Sequence, residues 1–69
     1  MRQRITVSVD NVRAVYSKTQ NNHNWRLQVL ARVEADNWTE IYSEEMTFGR
    51  MLHQLNNVSA KYPTEYALV

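Results

Sequence analysis

Few residues in this 69-residue chain are of a type that does chemistry, and their spacing keeps them apart. The two histidines, His23 and His53, lie thirty positions from one another and the chain has no cysteine, so the nitrogen and thiolate set of a structural zinc site is missing. His23 falls in the polar run SKTQNNHN and reads as a solvated loop histidine. Hydrolytic or group-transfer chemistry needs a nucleophile beside a base, or a pair of tuned carboxylates in a pocket, and no such constellation stands out. The triplets Asn37-Trp38-Thr39 and Asn57-Val58-Ser59 match the glycosylation pattern, but the apolar run near Met1 is too short for a secretory signal, so they read as chance matches. The expectation is a protein that is not an enzyme, with no catalytic residue, cofactor or metal. What remains is binding chemistry, carried by arginines and their neighbours: Arg13, Arg26, Gln28, Leu30, Arg32 and Tyr42.

The element that must position these side chains is the stretch WRLQVLARVEA, residues 25–35. Its odd positions are all apolar, and its even positions are polar apart from Leu30, which is the period of a strand with one buried face. Before it, RITVSVDNVRAVYS alternates in one phase at Ile5, Val7 and Val9 and in the opposite phase at Val12, Ala14 and Tyr16. A one-residue bulge at Asp10-Asn11 would keep both sets on one face, which predicts one long bent first strand; the alternative is a turn there and a separate short strand. The run SKTQNNHN then joins this strand to the central one as a long hairpin loop. After Asp36-Asn37, a third strand is predicted over residues 39–46, with a three-residue turn of Asp36-Asn37-Trp38 that pairs Val33 with Ile41.

From Thr47 the period changes. Phe48, Met51, Leu52, Leu55 and Val58 fall on one stripe of a helix predicted over residues 48–61, with Thr47 as N-cap and Pro63 as stop. Arg50, His53, Gln54, Asn57 and Lys61 take the opposite face. The final TEYALV is too apolar for a free tail and reads as a short edge strand or a segment packed across the helix end.

The fold class so read is α+β: a three-stranded antiparallel β-meander with one C-terminal α-helix on one face, in a single small domain spanning 1–69. Over residues 12–62 this order is similar to the three-strand, one-helix sheet domains with which integrases bind arm sites and certain plant proteins bind DNA. That resemblance, one of topology, implies that the uncovered sheet face meets DNA. On this reading the face carries Arg13, Val15, Arg26, Gln28, Leu30, Arg32, Glu40, Tyr42 and Glu44 together. Arginine and aromatic side chains around an isolated leucine suit the centre of a protein interface. The plainer alternative has Arg32 stacked on Tyr42 and the acids paired with the other arginines.

Charge bounds the partner. Eight Lys and Arg stand against seven Asp and Glu, so no global field steers the chain toward nucleic acid or an anionic membrane, and no segment approaches the ~20 apolar residues of a membrane span. A protein partner is expected first, nucleic acid second, with Arg13, Arg26 and Arg32 on phosphates or bases, and no membrane. A core this small is marginal without disulfide or metal, which predicts self-association as a homodimer. The expected location is the cytoplasm. A compact, Asn-rich domain without a cofactor motif fits a small phage or mobile-element inhibitor that blocks one host protein through its open sheet face.

Overall fold

The computed structural model of the chain describes residues 3–19 and 24–69, and His23 lies outside them. In chain order the elements are β1 (Gln3–Val9), β2 (Val12–Lys18), β3 (Asn24–Glu34), β4 (Asn37–Thr47), α1 (Phe48–Ser59) and β5 (Thr64–Leu68). The strands form one antiparallel sheet in the order β4-β3-β2-β1-β5, with α1 on one face. The class is α+β, but the sheet has five strands, and this corrects the three-stranded meander and the likeness drawn from it.

Two departures explain the difference. Residues 3–18 are two strands, because the phase change at Asp10-Asn11 is what a two-residue hairpin requires. When Val9 faces Val12, odd residues of β1 pair with even residues of β2, so Ile5 meets Tyr16 and Val7 meets Ala14 on the same side. Asp10 takes the left-handed backbone region at φ 51, which such a turn demands and which Asp tolerates better than most side chains. The fifth strand is the apolar end of the chain. Thr64–Leu68 pairs antiparallel with β1, and the Ser8 N–H donates to the Pro63 carbonyl at 3.0 Å to start the ladder, so the edge-strand reading of TEYALV holds.

The β3–β4 hairpin turns at Ala35-Asp36, with Glu34 facing Asn37, rather than at residues 36–38. It holds two irregularities. One lies between Arg32 and Glu34 and leaves Val33 without a partner; the other lies between Val29 and Leu30 and leaves Ile41 opposite none, so the expected pairing of Val33 with Ile41 does not occur. Both of these apolar side chains are exposed.

Helix α1 begins where expected. The Thr47 hydroxyl accepts the Arg50 N–H at 3.3 Å, satisfying one of the free donors of the first turn. It ends at Ser59, two residues before the expected end, where the N–H groups of Lys61 and Tyr62 both donate to the Val58 carbonyl ahead of Pro63. Met51 and Leu55 are its buried residues and complete a core with Ile5, Val7, Tyr16, Trp25, Leu27 and Met46. Gln54 is not on the far side of the helix as its place in the wheel suggested: its Oε1 accepts the Tyr16 hydroxyl at 3.3 Å over the sheet.

Candidate functional site

With α1 on one side, the other side of the sheet is left uncovered, and register decides what it shows. In an antiparallel sheet paired residues share a face, and residues alternate along each strand. The helix side takes Ile5, Val7, Ala14, Tyr16, Leu27 and Val29. The open side therefore takes Arg4, Thr6 and Ser8 from β1, Arg13, Val15 and Ser17 from β2, Arg26, Gln28, Leu30 and Arg32 from β3, and Glu65 and Ala67 from β5. Five of the six expected binding residues, Arg13, Arg26, Gln28, Leu30 and Arg32, are brought together on it.

Tyr42 is the exception. It faces Val29, so it lies on the helix side, where its hydroxyl donates to Glu44 Oε1 at 2.8 Å. Glu44 shares that side and is bridged to the Arg50 guanidinium at 3.1 Å. The hydrogen bond to the Glu44 carboxylate, reinforced by partial burial and the carboxylate's charge, holds the Tyr42 phenol above its ordinary value, against the opposing pull of Arg50. The alternative stack of Arg32 on Tyr42 is accordingly absent.

Its place is taken by Trp38. The two β-bulges act as a pair: the first shifts the register by one residue and the second restores it, so that between them Trp38 faces Arg32 and Glu40 faces Leu30. An unbulged hairpin with the same turn would pair Trp38 with Val33 and turn the indole to the helix side. As folded, the Arg13 guanidinium carbon lies 4.0 Å from the centre of the Trp38 ring and that of Arg32 lies 5.7 Å away. Arg32 is also fixed by a hydrogen bond to Asn11 Oδ1 at 2.9 Å. Two cations close to one indole give a rigid, amphipathic platform.

Around the platform the polar groups divide into two kinds. Along β4, Gln28 donates to Glu40 Oε1 at 3.0 Å, Arg26 donates to Ser43 Oγ at 2.9 Å and lies 3.8 Å from Glu45, and Asn24 donates to Glu45 at 3.2 Å. These cross-strand pairs occupy the acids of that edge. Toward β1 the arginines are less engaged: among the described residues the Arg4 side chain makes no hydrogen bond or ion pair, and that of Arg13 makes only its indole contact. On this face a trough of about 500 Å³ is lined by Val15 and Leu30, by Arg4 and Arg13, and by Glu65 from β5. Val15 is buried at 9 % exposure although no described helix or loop covers this face, because its cross-strand neighbours Thr6 and Gln28 flank it.

Trp38 and Arg4 are the site residues that sequence reasoning missed. Arg4 was findable, since Arg4, Thr6 and Ser8 alternate against Ile5, Val7 and Val9 and must share a face with Arg13 once β1 and β2 pair. Trp38 depends on bulges, for which its neighbours carry no Gly signal. Among the described residues no group of three or more His, Asp or Glu side chains could hold a metal ion, and no helix is long and apolar enough to cross a membrane. Comparison with protein-family models, curated proteins and solved structures finds no match.

Proposed function

We propose that this chain is a non-enzymatic protein-binding module whose binding site is the open sheet face, with Trp38, Arg13 and Arg32 as anchors and Leu30 and Val15 as the apolar floor between them. The observation that carries the reading is the indole with both guanidinium groups close by: Trp and Arg are the side chains that most often supply the binding energy of protein interfaces, and here they sit prearranged beside a half-buried leucine. A preorganised platform lowers the ordering cost of association. The less engaged cations, Arg4 and Arg13, favour a partner that brings carboxylates to the trough, set against an aromatic or aliphatic group for Val15 and Leu30. A blocking protein of the phage or mobile-element kind works by covering a surface and needs no deeper pocket than this one.

Nucleic acid is the second reading, supported by Arg4, Arg13, Arg26 and Arg32 on one face. Glu40, Glu45 and Glu65 share that face, and against four arginines they leave little net field for a phosphate backbone. The test is affinity capture from a bacterial lysate divided into nuclease-treated and untreated halves, using the wild-type chain and Arg13→Glu. Capture of the same protein from both halves, lost with Arg13→Glu, supports the module. Capture that disappears with nuclease, or that Arg13→Glu leaves unchanged, contradicts it.

A further inference from the structure

Among the described residues the sheet has two free edges, β4 and β5, and they are built differently. Edge β4 carries the Ile41 bulge and Glu40, Glu44 and Glu45, so two β4 strands brought together would place carboxylates against carboxylates across an irregular ladder. Bulges and like charges are the devices by which edges avoid pairing. Edge β5 has none of them. Thr64–Leu68 is regular, with Glu65 as its one charge, and it exposes Tyr66 at 65 % and Leu68 at 62 %.

Its backbone points outward in a definite pattern. Because the Ser8 N–H bonds to Pro63, the pairs Ser8 with Pro63, Thr6 with Glu65 and Arg4 with Ala67 are the hydrogen-bonded ones, and the residues between them, Thr64, Tyr66 and Leu68, turn their N–H and C=O groups to the free edge. Those same residues lie on the helix side of the sheet. On that side α1 lies over β3 and β4: Arg50 reaches Glu44 on β4, Gln54 reaches Tyr16 on β2, and the Phe48 ring centre lies 6.3 Å from that of Trp25 on β3. Between β5 and β1 a groove of about 220 Å³ runs beside Ile5, Tyr66 and Leu68.

We propose that two copies of this chain pair along β5, antiparallel and two-fold about Tyr66, to form one continuous ten-stranded sheet. In this register Tyr66 faces the partner's Tyr66 and Thr64 faces the partner's Leu68, so each outward-turned residue meets another of the same kind and the ladder closes. Tyr66, Leu68 and Val69 are each more than half exposed and supply the apolar part of the seam. Charge agrees. On the open face Glu65 falls opposite the partner's Ala67, whose small side chain leaves Arg4 a path to the partner's Glu65. The pairing leaves Trp38, Arg13 and Arg32 uncovered and shares only Arg4 with the proposed binding face, so the dimer and the protein-binding reading are tested by different variants.

Sedimentation equilibrium of the full chain across the micromolar range tests it. The expected mass is twice 8.2 kDa for the wild type and for Ile41→Lys on β4. Tyr66→Pro removes an edge N–H that β1 does not use, and Leu68→Lys sets a charge in the apolar seam; each is expected to raise the dimer dissociation constant at least about tenfold with the far-ultraviolet circular dichroism unchanged. Leu68→Lys keeps the test valid if the proline variant fails to fold. A wild-type mass of 8.2 kDa at 100 µM, a dimer indifferent to Leu68→Lys, or one abolished by Ile41→Lys overturns the proposal.

Discussion

Replacing Leu55 by alanine tests how the helix is seated, because its neighbour Gln54 supplies an internal control one residue away. Leu55 is 4 % exposed and packs in the core with Met51, itself 1 % exposed, above a sheet whose hydrogen-bonded strands cannot move in to fill a void. Truncation there costs the transfer of the lost carbons plus a cavity, about 3–5 kcal/mol, the upper part of the range for buried leucines. A chain of this size has roughly 3–10 kcal/mol to lose. Leu55→Ala is thus expected to be largely unfolded or to have a greatly lowered urea midpoint. Gln54→Ala removes a single partly buried hydrogen bond, at 3.3 Å, from the Tyr16 hydroxyl, which water can replace, for a loss of about 0.5–1 kcal/mol. Equilibrium urea unfolding followed by circular dichroism measures both. A loss below about 1 kcal/mol at Leu55, or a larger one at Gln54 than at Leu55, would refute the seating of α1.

Thr47→Ala, which leaves the Arg50 N–H without its cap, should cost about 1 kcal/mol and lower the melting temperature in a thermal scan. Asp10→Val should cost about 1–2 kcal/mol because a β-branched residue is forced to φ 51, whereas Asp10→Gly should leave stability unchanged or raised, both read from urea midpoints. Burial raises the Tyr16 phenol above its ordinary value of 10.0, so its contribution to stability is complete below pH 10 and is lost as pH rises through the folded-state value; Tyr16→Phe should flatten that alkaline loss in a pH series of unfolding curves.

How much of this was legible depended on whether a pattern had one geometric solution. The central strand and the helix did: eleven residues at period two and a 3.6-period stripe behind a threonine cap leave no competing arrangement, and β3 and α1 stand within two residues of their expected bounds. The phase change at Asp10-Asn11 had two, a bulge or a hairpin, because either keeps Ile5, Val7, Tyr16 and Ala14 on one side. Local sequence does not separate them; the free apolar segment at Thr64–Leu68 does, since it needs a strand edge to pair with and β1 provides one. On the site, the residues of the central strand were fixed by alternation, and Arg13 followed through its pairing with Leu30. Tyr42 was assigned to the wrong face because the turn is the two residues Ala35-Asp36 and not three, which exchanges the faces of β4, whereas Trp38 was placed in the turn and its facing depends on the bulges. The bulges reverse the facing only of the residues between them, and the two left unpaired, Val33 and Ile41, are β-branched side chains that read as ordinary strand positions.

The measurement closest to the central claim is the affinity of the captured protein partner for four versions of the chain: wild type, Trp38→Ala, Leu30→Asp, and His53→Ala on the exposed side of α1. If the open sheet face is the binding site, Trp38→Ala and Leu30→Asp each weaken binding by at least about tenfold, or about 1.4 kcal/mol, while folding is preserved. His53→Ala leaves the affinity unchanged, and a threefold rise in salt moves it less than the two face variants do. Affinities that survive both face variants, or that fall with His53→Ala instead, would contradict the account and move the site to the helix side of the sheet.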